Sequence, residues 1–410
     1  MNDMLLEGRL ADLDGVRRGR VRVEQGEIVA VGDLSGRPDR VFDDDCLIFA
    51  GMGDIHIHAR EDISRKEVHK ETFATASAAA LHGGVVHVAD MPNNVFPPID
   101  DATYAAKEAL VRRGHLPVHF TLYAGVAPGT RPLQRQVPYK AYMAKSVGEI
   151  HFTDMDELDR TLARYRGAHV SFHCEDPVVL EQSKGAPTHE ERRPPSAEVS
   201  ATAVALALIE KHGLVGKLCH YSVAEGLPMI AEAKKRGVPV TAEVTPHHLY
   251  FDSSGINDGN RAMMQMNPPL RSAPDRQAML AALKDGLVDY LATDHAPHTT
   301  MDKARGASGQ PHLDTYGPFV TWLLVDQGFP PERIAAVCSA NPGVFVNNFT
   351  SRRYGRIEPG YVGSLTVLNL AKPTTVRARE LRTLCGWSPF DGHVFPGSVE
   401  AVVVDGVWMD

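Results

Sequence analysis

The feature that most constrains this 410-residue chain is an alternation through its middle. Short apolar runs of strand character trade places with alanine-rich runs of helical character. The strand candidates are DIHIH (54–58), VVHVADMP (85–92), HFTLYAG (119–125), YKAYM (139–143), HVSFHCED (169–176), KLCHYSV (217–223), VTAEVTP (240–246) and DYLATDHAP (289–297). Between most of them lie stretches such as KETFATASAAALHGG, SAEVSATAVALALIEKHG and APDRQAMLAALKDG, whose alanine content and terminal glycines predict helices. Eight strands with interposed helices over about 300 residues predict an α/β fold of the (β/α)8 TIM-type barrel class. A doubly wound open sheet is the alternative, but it normally carries fewer strands. No G-x-x-x-x-G-K-[ST] loop and no helix-opening G-x-G-x-x-G occurs, so a nucleotide fold has no support.

The two ends read differently from the middle. GRVRVEQGEIVAVGDL predicts a hairpin turning at Gln25-Gly26, and GSLTVLNL and SVEAVVVDGVWMD alternate as strands, the second with an Asp-Gly turn. Neither end buries much core alone, so the expectation is one small β-sandwich domain built from residues 1–50 plus 352–410, beside a barrel spanning 51–351.

The formal net charge of -8, with acidic residues spread along the chain, argues against a nucleic-acid or anionic-membrane partner. A small anionic substrate remains compatible with it through a local cationic cluster. The N-terminus MNDMLLEGRLADLDG lacks the features of a signal peptide, and no run of about 18 apolar residues predicts a membrane helix. The five cysteines are scattered without a C-x-x-C pair, which fits reduced thiols and a cytoplasmic location.

In a barrel of this kind the C-terminal ends of the strands face the active site. Those ends supply His56 and His58 from the first strand, Lys140 from the fourth, His173 from the fifth, His220 from the sixth and Asp294 from the eighth. His56 and His58 are two residues apart and share a strand face, so both can address one metal. By the same alternation Cys174 and Cys219 are expected to point outward to the helices as buried structural thiols. Lys140 has two readings: a solvated lysine after Pro138-Tyr139, or an amine that has taken up carbon dioxide to give a carbamate able to bridge two metals.

The ordered set DIHIHARED, VADMPNN, YKAYMAKS, FHCED, HYSVAEGL, TAEVTPHHL, NPPLR, ATDHAPHT and CGWSPFDG resembles the amidohydrolase superfamily, and within it the dihydroorotase family with a carboxylated lysine. The resemblance runs from about Gly51 to the end of the chain. It implies a binuclear centre of two divalent ions, usually Zn2+: His56, His58 and Asp294 on one, His173 and His220 on the other, and carboxylated Lys140 between them. It also implies that Arg60 grips a substrate carboxylate, that Asn93 and His298 complete that pocket, and that Asn267 binds the ring. The implied activity is the reversible cyclisation of N-carbamoyl-L-aspartate to L-dihydroorotate in pyrimidine biosynthesis. In the hydrolytic direction a metal-bridged hydroxide attacks the cyclic amide and Asp294 shuttles the proton. The implied partners are this small-molecule substrate and either a second copy of the chain in a homodimer or the enzyme of the preceding pathway step. The sequence leaves that choice open.

Other readings stand beside these. A hydantoinase- or allantoinase-like enzyme would use the same ligands, but Arg60 in H-x-H-x-R and CGWSPFDG lean towards the carboxylate-bearing ring. A non-catalytic scaffold homologue would have lost ligands, and all six positions are filled. His247 and His248 read as orientation or packing groups rather than a second metal site. His87 reads as a core histidine or one that supports a ligand; Glu243 and Asp90 are open between supporting a ligand and purely structural work. Residues 299–317, with Gly306 and Gly309, read equally as a mobile loop over the site or a plain surface loop. There SGQPHLDT departs from the family's pattern at Gln310, His312 and Asp314.

Overall fold

The computed structural model describes residues 3–145 and 150–409. Residues 1, 2 and 410 of the expected end unit, and Ser146 at the close of YKAYMAKS, lie outside the described residues.

The eight barrel strands follow the expected order, most of them shorter than their sequence runs. They are Met52–Ile57, Val85–Asp90, His119–Leu122 continued by Ala124–Val126, Tyr139–Tyr142, His169–His173, Val215–Leu218, Val240–Val244 and Tyr290–Leu291. All neighbouring pairs are parallel. HFTLYAG is interrupted at Tyr123, which leaves the ladder: its amide donates to the Asp90 carbonyl (2.9 Å) and its hydroxyl crosses the barrel to the Ile55 carbonyl (3.2 Å). Helices separate most strands, but among the described residues none lies between the third and fourth. Local chemistry explains the main ones. Phe73–His82 starts on a Thr72/Thr75 capping box, and Ala273–Asp285 starts on a Ser272/Asp275 box and stops at left-handed Gly286.

Closure between the first and eighth strands is slender. One parallel bridge joins Ile57 to His295, with the His58 amide donating to the His295 carbonyl (2.8 Å). The remainder of the joint is a side chain. Fully buried Asp54 accepts from the His56 amide (3.1 Å) and the Thr293 amide (3.1 Å) through Oδ1, and takes the Thr293 hydroxyl on Oδ2. Asp54 thus does the work of a missing ladder at the strand whose next residues include His56 and His58.

Below the mouth the barrel is filled rather than open. Ile55, Ala89, Tyr123, Cys219, Tyr290, Phe345 and Tyr354 form one buried cluster. His87 lies in the same interior, against Tyr354 with ring centroids 4.9 Å apart and the ring planes tilted by 50°. Burial pushes its pKa down to about 3, so it is a neutral core group. Gly53 is required here because a Cβ would sit 1.9 Å from the His87 ring.

The expectation for the two cysteines divides. Cys174 belongs to the layer between barrel and helices. Cys219 does not point outward: it joins the interior cluster, close to His56 and Glu243. The reason is local backbone. The sixth strand ends at Leu218, and His220 takes a left-handed φ of 37°, so strict alternation no longer applies.

Both chain ends enter one eight-stranded sheet. The central pairing sets Cys46–Ala50 antiparallel to Leu365–Asn369, with Met4–Asp12 on one side and Ser398–Val404 on the other. The expected hairpins are present, at Gln25-Gly26 and at Asp405-Gly406, where all four residues take positive φ. Leu6, Val21, Val23, Ile48, Leu365 and Val403 close a core between the halves of this sheet in the manner of a small sandwich. Among the described residues no helix is long and apolar enough to cross a membrane.

Asp54 yields a prediction. Burial raises its pKa to about 6, so the folded chain keeps a proton that an unfolded aspartate, with pKa about 3.9, has already lost. Across that window, about pH 4 to 6, this group makes the fold less stable as pH rises. Asp54→Asn removes that contribution, and the difference between wild-type and variant unfolding free energies, measured by denaturant titration, is expected to change by about 1–3 kcal/mol between pH 4 and pH 7.

Candidate metal centre and substrate pocket

The strand ends converge on a cavity of about 350 Å³ lined by His56, His58, His173, His220 and Asp294, with Arg60, Asn93, Asn267 and His298 also on its wall. Nine of the ten candidate residues therefore meet at one mouth. The tenth, Lys140, is fully buried beneath it. Its Nζ stands 5.3 Å from the centroid of the Tyr142 ring, and Tyr142 lines the cavity. A larger cleft of about 620 Å³ lies away from this mouth, beside the helix Asp101–Gly114; its arginines are paired with Glu108 and Asp405, and it contains none of the ten.

The imidazoles are oriented one by one. His58 Nδ1 lies 2.7 Å from Asn93 Oδ1, so Nδ1–H donates and the Nε2 lone pair faces Asp294 Oδ1 at 2.9 Å. His56 Nδ1–H donates to Glu243 Oε1, and its Nε2 stands 3.1 Å from the same Asp294 oxygen. These three side chains form a group with ligand spacing. His173 Nε2–H donates to Glu175 Oε2 (2.7 Å), which turns Nδ1 towards His220 Nε2 at 2.9 Å. Fixing the far nitrogen of a histidine sets both its tautomer and its aim, as carboxylates and amides do around bound metals.

The supporting carboxylates are themselves held. Glu243 Oε1 also takes the His220 amide (3.1 Å), and Oε2 is bonded by buried Lys217. Burial alone would raise the Glu243 pKa, but His56 and Lys217 outweigh it and keep the group ionised. Glu175 is caught by Arg193 through both oxygens, and Arg193 and His173 overcome burial to hold it well below the usual carboxylate range. Asp294 is likewise held ionised against burial by His56 and His58. Cys219 shares a tight group with His56 and Glu243, with Lys217 already on the Glu243 carboxylate.

The donor set fits two divalent cations. Four imidazoles converge on one mouth beside an ionised Asp294, and Lys140 Nζ is buried without a hydrogen-bond partner. A buried polar nitrogen with no hydrogen-bond partner calls for a ligand or a modification to satisfy it. Three of the candidates, Arg60, His220 and Asp294, have φ of 59°, 37° and 49°. Non-glycine residues reach that region at a cost, and such strain collects where a side chain must be re-aimed.

On the other wall, buried Arg60 donates to the Pro297 carbonyl (3.3 Å) and stands 3.2 Å from His298 Nε2. Burial, then Arg60, pushes the His298 pKa far down. A neutral His298 that accepts at Nε2 carries its proton on Nδ1, which has no protein partner and is free to donate to a ligand. Trp387 of CGWSPFDG fixes His298 through Nε1–H to its carbonyl (2.7 Å). The same C-terminal segment is tied to Glu71, which takes the Thr383 hydroxyl and the Leu384 amide and also bonds His295 (3.1 Å).

Residues 299–317 combine a short helix, Thr300–Ala304, with a wall segment, Ala307–Gly309. Lys303 is buried and pins this loop through Nζ to the carbonyls of Gln265 (2.6 Å) and Gly309 (2.8 Å); burial pushes its pKa down to about 7. The departures from the family pattern are absorbed into contacts. Gln310 bonds the Met263 carbonyl, His312 bonds His247 (2.9 Å), and Asp314 receives the Arg382 and Thr383 amides. His248 bonds Thr245 and the Pro268 carbonyl.

The sequence reading did not find Glu175, Arg193 or Lys217. Glu175 was accessible, two residues beyond His173 in FHCED, but Arg193 and Lys217 meet their carboxylates only through the fold. Glu175→Ala frees the His173 ring and strands Arg193, and is expected to weaken divalent-cation binding by about 10–100-fold, measured by titration with zinc or by metal analysis after graded chelation.

With the geometry established, the chain can be set beside known proteins. It matches the amidohydrolase family over residues 47–409. It is 32% identical to a dihydroorotase of Brevibacillus brevis, covering 94% of this chain and 93% of that one. It is 30% identical to a dihydroorotase of Pediococcus pentosaceus, covering 99% and 98%, and 29% identical to one of Pyrococcus furiosus, covering 98% and 92%. Among solved structures, an L-hydantoinase from Arthrobacter aurescens superposes with TM-score 0.88 at 24% identity, covering 100% of this chain and 96% of that one. A dihydropyrimidinase from Brevibacillus agri gives 0.83 at 21%, covering 99% and 94%. The structural matches establish the shared barrel-plus-sandwich fold, and the extent of the sequence match establishes that the chain belongs to the amidohydrolase family.

Proposed function

We propose that this chain is a dihydroorotase, a metal-dependent cyclic amide hydrolase that interconverts N-carbamoyl-L-aspartate and L-dihydroorotate in de novo pyrimidine synthesis. Arg60 carries the choice of substrate. It is a guanidinium, fixed by Pro297 and His298, on the wall opposite the histidine cluster. A planar fork held in place pairs with a planar carboxylate, and Asn93 and the free Nδ1–H of His298 stand beside it to complete the grip. Near full-length identity of about 30% to dihydroorotases supports the same reading.

In this reading His56, His58 and Asp294 would hold one divalent cation and His173 and His220 the other, and Lys140, as a carbamate formed from its amine and CO2 with loss of one proton, would supply an anionic ligand to the pair. Zn2+ suits the imidazole-carboxylate donor set. Such a pair supplies Lewis acidity to an amide carbonyl and lowers the pKa of water. The protein groups do the rest. Arg60, Asn93 and His298 hold the carboxylate, and Asn267 meets the ring, which fixes the amide over the strand ends. In hydrolysis Asp294 accepts a proton from the attacking water and delivers it to the ring nitrogen as the C–N bond breaks. In synthesis it takes the proton from the carbamoyl nitrogen as the C–N bond forms and water leaves. The division into a barrel over 51–351 and an end unit of 1–50 with 352–410, and a cytoplasmic location, belong to the same proposal.

The test is turnover of L-dihydroorotate by zinc-loaded protein, followed by ring absorbance. Absence of turnover alongside hydrolysis of hydantoins overturns the reading. Arg60→Ala is expected to raise KM by about 10–100-fold with metal content intact; loss of metal instead refutes its assignment to the substrate. Lys140→Ala is expected to abolish turnover, with partial recovery when a short carboxylic acid is added, and an unmodified Lys140 amine in a metal-loaded crystal would exclude the bridge.

A further inference from the structure

The two principal carboxylate anchors, Arg60 and Asn93, come from different strands and must keep a fixed separation. The group that ties their backbones together lies outside the pocket. Lys107 projects from the outer helix Asp101–Gly114, yet its side chain is 2% exposed. Its Nζ sits 2.5 Å from Asp90 Oδ2, 2.5 Å from Asn94 Oδ1 and 3.2 Å from the Met91 carbonyl. Asp90 Oδ1 in turn accepts the Ala59 amide at 2.7 Å. Ala59 precedes Arg60, whose left-handed φ of 59° needs external support. Met91 and Asn94 flank the segment that carries Asn93, and the Met91 amide is bonded to the Ile57 carbonyl (2.8 Å).

From this geometry we infer that Lys107 is a positioning residue for substrate-carboxylate recognition, locking the exits of the first and second strands so that Arg60 and Asn93 face one carboxylate together. The inference rests on the proposed function. A single ammonium holds the exit of the second strand by donating to the Met91 carbonyl and Asn94 Oδ1 and by pairing with Asp90, and Asp90 carries the tie across to the Arg60 segment through the Ala59 amide. The pair Lys107–Asp90 is neutral as a unit and closed to water, so it holds position without adding charge to the pocket. Because Lys107 is not among the residues lining the cavity, its loss acts on alignment and not on chemistry at the strand ends.

The experiment compares wild type with Lys107→Met, and with the charge-balanced Asp90→Asn/Lys107→Met, which leaves no unpaired buried carboxylate if the single variant folds poorly. KM and kcat for L-dihydroorotate are measured on zinc-loaded protein, together with the Kd of orotate, a ring carboxylate, by calorimetry. The expected result is a rise of about tenfold or more in both KM and Kd, with kcat within about threefold and zinc content unchanged. Unchanged KM and Kd, a fall in kcat alone, or loss of zinc overturns the inference. If wild type binds orotate but does not turn over dihydroorotate, the proposed function fails, and the orotate affinities of the variants then decide the role of Lys107 by themselves.

Discussion

Asp54 carries the joint on which the rest of the molecule depends. A barrel of parallel strands has to close, and here the eighth strand is two residues long and meets the first through a single bridge. The carboxylate of Asp54 replaces the absent ladder by binding two backbone amides and a hydroxyl across the seam. Because it binds the His56 amide on one side and Thr293 on the other, it also fixes His56 and His58 relative to Asp294. The closure of the fold and the assembly of the first metal group are one piece of bonding.

Outward from that seam, three of the four imidazoles are each held at the far side by a fixed acceptor. Glu243 holds His56, Asn93 holds His58 and Glu175 holds His173. Both carboxylates are bonded further out, Glu243 by Lys217 and Glu175 by Arg193. Buried charges in such numbers are tolerated because they occur in opposite pairs with their remaining lone pairs satisfied. The substrate side repeats the pattern with Trp387 on His298 and Lys107 near the Arg60 and Asn93 exits.

Much of this was legible in the chain. The eight strand runs, the hairpins at Gln25-Gly26 and Asp405-Gly406, and the convergence of His56, His58, His173, His220 and Asp294 follow from periodicity and strand-end position. Strand lengths were less legible, because side chains such as Asp54 and Tyr123 take over where ladders would be expected to continue. The direction of Cys219 was not legible, since a left-handed residue after a strand cancels the two-residue rule without leaving a glycine to mark it. Lys107, Arg193 and Lys217 were also hidden: a lysine or arginine on an amphipathic run reads as solvated until the fold shows which carboxylate it meets. CGWSPFDG pointed to the right family, and the physical reason emerged only in space, in the bond from Trp387 to the His298 carbonyl.

The sheet that joins the two chain ends has a consequence in time. Cys46–Ala50 lies between Met4–Asp12 and Leu365–Asn369, so a strand completed early in synthesis waits for a partner more than three hundred positions later. During that interval the apolar side chains of Leu6, Val21 and Ile48 have no opposite half to close on. Pairings so distant in sequence are slow to form because loop closure must precede the contacts that reward it. Topology therefore makes the joining of Cys46–Ala50 to Leu365–Asn369 a closure across the entire barrel, and the end sheet is complete only when chain from both sides of the barrel has met.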